Sequence, residues 1–279
     1  MLTRFFNFFI FSSIYIALCA VLMVTQTNQL LHLKYDVQHY LVFVFFSTIC
    51  SYNFHWFLTP LTPTEKLRVR WTQEHKNLHL LFFIVGMVGS CFYFFYFRNH
   101  LFWMGMSIFL TFLYSAPKLP LQPFSLLRKI AVGKTIFLSF VWMYVTTFLP
   151  IIFSDNGWST SAILLCISRF FLIYAICIIF DYRDRANDKE EGIRSLITYL
   201  NEGGVKALFY SSLVIFGIGT FALSFTGFKL PVIALLLIPG VITMALYNTA
   251  TKNFSDYLYY FVLDGLMMLS AIFTSFISI

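Results

Sequence analysis

Residues 159–192 read STSAILLCISRFFLIYAICIIFDYRDRANDKEEG. The run 159–180 carries one charge, Arg169, and is long enough to cross a bilayer, for which about 20 mostly apolar residues suffice. From Asp181 the chemistry reverses: half of the chain's twelve acidic residues fall between Asp181 and Glu202. Asp181, Asp184 and Asp188 stand at i, i+3 and i+7. A helix continuing past the membrane surface lines them on one face, with Glu191 near its edge. Like charges one turn apart repel, and a helix C-terminus disfavours anions further. A cation relieves that repulsion. An all-oxygen carboxylate set suits a hard ion, chiefly Mg2+, which keeps waters and shares its shell with a phosphate. The competing reading is a solvated face beside the membrane, neutralised locally by Arg183, Arg185 and Lys189.

Outward from this stretch the chain is strongly apolar. Of 279 residues, 59% are hydrophobic, 20% aromatic and 11% charged, and Phe occurs 36 times. Soluble domains carry about a quarter charged residues, so the composition excludes a soluble enzyme. It also excludes a disordered chain and a disulfide-stapled secreted scaffold. The net charge of +7 reflects membrane orientation, because Lys and Arg fall in short loops between apolar runs; no nucleic-acid partner is expected, and no protein partner is predicted. The cysteines (Cys19, Cys50, Cys91, Cys166, Cys177) lie inside apolar runs without CxxC spacing and read as small buried hydrophobes.

Nine segments meet the requirement for a span: 5–24, 39–57, 78–97, 101–114, 135–153, 159–180, 205–225, 231–249 and 257–277. With nine crossings, fifteen Lys and Arg fall on the side of the N-terminus and three (Lys34, Arg98 and Lys229) on the other. The positive-inside rule then places the N-terminus in the cytoplasm and the C-terminus outside, as for a multi-pass protein of the cytoplasmic membrane. The expected fold is all-α: one domain, 1–279, of nine transmembrane helices around a central cavity open to the cytoplasmic face. The long polar loops 58–77, 115–134 and 181–204 share that face.

In the middle loop, Pro117, Pro120 and Pro123 hold the backbone extended, so Lys118 emerges at the interface with Tyr114 just below it. An ammonium there suits an anionic group at the interface; simple positive-inside anchoring is the alternative. With nine helices, Asp181, Asp184 and Asp188 at the end of the sixth, Tyr114-Ser115-Ala116-Pro117-Lys118 after the fourth, and Arg128, Lys129 and Lys134 leading into the fifth, the sequence resembles the UbiA-type intramembrane prenyltransferases. The resemblance implies Mg2+ held by Asp181, Asp184 and Asp188 as the catalytic and metal-binding set. It implies a prenyl diphosphate donor and a hydrophobic acceptor, aromatic or lipid, as partners within the bilayer. Asn53, His55, Tyr114, Lys118, Lys134 and Arg183 are the corresponding candidates for binding substrate.

The family's first motif, NDxxDxxxD, is not matched. With its Asn on Asn53, Phe54, Phe57 and Leu61 occupy the three Asp positions, and none can bind Mg2+. A single Mg2+ on the 181–188 cluster can suffice, with Asn53, His55 and basic groups holding the diphosphate. Alternatively Glu65, Glu74 or His75 folds back to replace the missing carboxylates. A third outcome is a non-catalytic isoprenoid-binding or transport protein on the same scaffold. Two ionisable residues lie inside spans, Arg169 and Asp264. Such groups usually face the bundle interior with a partner, and the expectations are a mutual pair or separate local satisfaction.

Overall fold

The computed structural model describes residues 2–60, 66–115, 134–190, 192 and 195–277. Among these residues the fold is all-helical, with no strand. The helices are α1 (Leu2–Phe11), α2 (Ile14–Leu31), α3 (Val37–Phe57), α4 (Leu67–Glu74), α5 (Lys76–Phe94) and α6 (Leu101–Ser115). Next comes α7, which runs Lys134–Met143, through a π-turn at Tyr144–Phe148, to Leu149–Phe153. They are followed by α8 (Thr160–Glu190), α9 (Leu196–Tyr199), α10 (Glu202–Ala222), α11 (Leu230–Ala250) and α12, a π-turn at Leu258–Leu263 running into Asp264–Thr274.

Each of the nine apolar segments is helical, but among the described residues six stretches are long and apolar enough to cross a membrane. These are Ile14–Leu31, Lys76–Ser115, Thr135–Phe153, Thr160–Glu190, Glu202–Thr226 and Leu230–Ala250. The expected count of nine is therefore not reproduced by length and composition. Three physical reasons account for the difference. Polar residues from Gln38 to His55 dilute α3. Leu258–Thr274 is a shorter apolar helix. The third and fourth segments merge into one 40-residue stretch, bent where Phe97 leaves helical geometry (φ −106°, ψ 28°).

The first segment also departs from expectation, because it is broken. Ser13 takes a left-handed conformation (φ 71°) between α1 and α2. The Ser12 carbonyl, freed by the break, accepts a hydrogen bond of 3.1 Å from Asn53 Nδ2. Both π-turns free carbonyls in the same way, and hydroxyls from other helices satisfy them. Tyr40 donates to Val145 O at 2.6 Å and Thr27 to Thr146 O at 2.8 Å, while Tyr15 donates to Phe261 O at 2.8 Å.

Close packing of α3 on α5 depends on a glycine. A Cβ at Gly86 would lie 2.6 Å from the backbone N of Cys50, so α3 could not keep its present distance. The α8 helix runs through the core, packed on α7 and α10. Its Arg169 is buried, donating to Met23 O at 3.0 Å and to Gln26 Oε1 at 2.8 Å. The pairing of Arg169 with Asp264 is thereby corrected: a backbone carbonyl and an amide on α2 satisfy Arg169 locally.

Candidate functional site

As the acidic pattern requires, α8 continues past residue 180 as one helix to Glu190. Its polar end meets a cavity of about 1250 Å³ formed between the helices. Asp181 and Asp184 both line it. Asp181 is buried and accepts a hydrogen bond from Thr135 Oγ1 in the first turn of α7. Asp184 is about one-third exposed and meets Lys66 Nζ at 3.1 Å and Arg183 Nε at 3.4 Å. Asp188 is buried but does not line the cavity. The reason is axial: seven residues beyond Asp181 is about 10 Å further along the helix, past the rim.

The basic side of the site comes from the polar end of α8 and the start of α4. Arg183 also lines the cavity, donating to Tyr260 Oη at 2.8 Å and to Asp256 Oδ1 at 3.5 Å. Asp256 takes the backbone N–H of Arg68 on its other oxygen at 2.8 Å, which fixes the start of α4 against the mouth of α12. The Arg68 guanidinium sits 4.3 Å from the Trp56 ring centroid and 5.1 Å from that of Phe11, and donates to Ile10 O at 3.2 Å. Its Nε is buried and has no hydrogen-bond partner among the described residues. Burial pushes the Arg68 pKa down to about 10, against the pull of Tyr260, Asp264 and Asp256, so it remains charged at neutral pH. Lys66 and Arg68 both line the cavity.

The expected substrate-binding residues divide. His55 and Tyr114 line the cavity with their rings stacked, centroids 5.3 Å apart. Arg183 joins them. Asn53 does not: it is fully buried, bound to Ser12 O, to Ile49 O at 2.8 Å and to His79 Nδ1 at 2.6 Å. Its amide closes the break between α1 and α2. Lys118, with Pro117, Arg128 and Lys129, lies outside the described residues, and of Lys134 only the backbone is described. Glu65 also lies outside them, while Glu74 and His75 are exposed and do not line the cavity. What folds back from the loop after α3 is positive: Lys66 and Arg68. A run of Lys and Arg beside a span reads as orientation signal, so sequence reasoning passed over them.

Among the described residues no three His, Cys, Asp or Glu side chains form a metal-binding group. Of the expected trio, Asp181 and Asp184 line the cavity and Asp188 does not. That pair still fits Mg2+, which is commonly held by one or two carboxylates together with substrate phosphates. Below the charged rim the lining is aromatic and aliphatic, including Tyr52, Phe83, Phe112 and Trp142, and reaches Phe94 and Phe95 at the far end of α5.

A family model described as the UbiA prenyltransferase family matches residues 70–263. No curated protein sequence matches. A solved structure of a digeranylgeranylglyceryl phosphate synthase in membranes is similar in fold, with a TM-score of 0.55 at 14% identity. The match covers 97% of this chain and 98% of that one.

Proposed function

The chain belongs to the UbiA prenyltransferase family, and from that premise we propose a membrane prenyltransferase that moves an isoprenoid group from a prenyl diphosphate to an aromatic or lipid acceptor. One observation carries this reading. Two carboxylates (Asp181, Asp184) and three cations (Lys66, Arg68, Arg183) line one end of a cavity whose remaining wall is largely apolar. Such an arrangement suits an amphiphile with a multiply charged anionic head and a hydrocarbon tail.

Lys66, Arg68 and Arg183 neutralise diphosphate oxygens, and the guanidiniums also hydrogen-bond them. The open Nε of Arg68 supplies a buried donor for one such oxygen. Asp181 and Asp184 would hold Mg2+, which when bound supplies charge neutralisation of the leaving diphosphate. Lys66 and Asp184 are each about a third exposed in their pair, so water and a ligand can reach both. Aromatic side chains behind the rim exclude water and offer π-faces to an allylic cation. His55 and Tyr114, stacked at the wall, orient the substrate beside the head group. The chain carries this out as one domain, 1–279, with nine crossings and the N-terminus in the cytoplasm, a topology supported by the fifteen-to-three charge asymmetry.

The test is release of pyrophosphate from geranyl and geranylgeranyl diphosphate by purified protein in nanodiscs, with Mg2+ varied. The expected result is Mg2+-dependent release that falls at least about 100-fold in Asp184→Ala, since a lost metal contact removes several kcal/mol of transition-state stabilisation. Binding of both diphosphates with no release would favour an isoprenoid-binding or transport protein instead.

A further inference from the structure

Asp264 has no part in holding the diphosphate, yet it lines the same cavity from within an apolar helix. An ionisable group at such depth is costly and as a rule marks function. Its placement is constructed. The π-turn Leu258–Leu263 ends immediately before it, and Tyr15 fixes that turn by donating to Phe261 O at 2.8 Å. The next residue is Gly265, where any side chain would strike the Tyr15 hydroxyl. Among the described residues the Asp264 carboxylate has no hydrogen bond and no ion pair. The nearby guanidiniums are committed elsewhere, Arg183 to Asp184, Asp256 and Tyr260, and Arg68 to Ile10 O. Asp264 therefore makes no direct ion pair with either guanidinium, although its charge is felt at Arg68.

Depth and charge narrow its role. Tyr260 holds Arg183 at the rim, and Asp264 follows four residues later, about 6 Å deeper along the helix. With a diphosphate at the rim, the carbon bonded to it lies at this level. A carboxylate there repels the anionic head, so its partner is the other reactant. We infer that Asp264 is a catalytic base that takes the proton from a protic acceptor, a phenol or an alcohol, as that acceptor is prenylated. This assignment rests on the prenyl-transfer reading given above. The C1–O bond of the donor breaks and its electron pair leaves with the diphosphate. A bond forms from the acceptor's nucleophilic atom to C1, and the proton lost by the acceptor passes to Asp264 and then to water.

The test compares wild type, Asp264→Asn and Asp264→Glu in nanodiscs. Binding is measured with geranyl thiolodiphosphate, an unreactive analogue, and turnover with geranyl diphosphate against a panel of phenols and long-chain alcohols, products being read by mass spectrometry. Asp264→Asn is expected to bind the analogue within about twofold of wild type, which also reports folding, and to lose about 10²–10⁴-fold in prenylated product. Asp264→Glu is expected to recover part of that loss. Product formation by Asp264→Asn at the wild-type rate overturns the inference, as does a loss of binding in step with product. A wild-type protein that binds the analogue but prenylates no member of the panel also overturns it while leaving the diphosphate site standing. Failure of the wild type to bind the analogue at all overturns the prenyl-transfer reading, and this inference with it.

Discussion

Lys66 lines the cavity and Asn53 does not, the reverse of the placement that their positions in the sequence suggested. Lys66 sits in a basic loop and reads as an orientation signal, yet its ammonium reaches Asp184 at the cavity mouth. Lys66→Ala is expected to weaken binding of geranyl thiolodiphosphate by about tenfold, measured by calorimetry. It should leave thermal stability nearly unchanged, because half-exposed ion pairs contribute no more than about 1 kcal/mol. Asn53 matched a family position for substrate contact, but its amide ties Ser12 O, Ile49 O and His79 together away from the cavity. Asn53→Ala should therefore lower stability by about 1–3 kcal/mol, the cost of leaving buried polar groups unsatisfied. The variant's KM for prenyl diphosphate should not move, and a rise in KM without loss of stability would return Asn53 to the substrate site. The carboxylates Asp181 and Asp184 were legible because acidic residues at helical spacing beside a span repel one another unless cations sit among them. Arg68 was not legible: its burial against Trp56 and its tether to Asp256 depend on the folding together of segments as far as 188 residues apart in the chain.

At the level of elements, helix existence was written in hydrophobic runs, while breaks and kinks were not. The turn at Ser13 and the π-turns in α7 and α12 leave the composition of their segments unchanged. They persist because Asn53, Tyr40, Thr27 and Tyr15 supply donors to the freed carbonyls, and those partners become apparent only in three dimensions. The segment 39–57 was counted as a span, yet α3 falls short of one by composition, since its polar residues include those that face Ser12, His79 and the cavity. The contact of α3 with α5 gives a direct test. Gly86→Ala places a methyl group 2.6 Å from the Cys50 backbone, a collision that no rotamer change relieves. It is expected to destabilise the protein by about 1–3 kcal/mol, as overpacked cores do, seen as a lower Tm in a thermal unfolding scan. An unchanged Tm would mean that α3 and α5 separate freely.

For the whole molecule, topology and function are linked through one face. In the proposed nine-crossing topology, the fifteen-to-three distribution of Lys and Arg would put Lys66 and Asp184 on the cytoplasmic side. A reporter fused after Ile279 should accordingly show alkaline phosphatase activity and no green fluorescence in a bacterial host. The opposite pattern would require an even number of crossings. The cavity itself unites what the composition implied only loosely, an aromatic-rich interior and a cluster of acids. The measurement that bears hardest on this picture is a cryo-EM structure of the protein in nanodiscs with Mg2+ and geranyl thiolodiphosphate. The diphosphate should lie between Asp181 and Asp184 on one side and Lys66, Arg68 and Arg183 on the other, with its chain running toward Trp142. Density for the head group outside this rim, with the Lys66–Asp184 pair intact and the cavity filled by lipid, would refute the diphosphate site and leave only the fold.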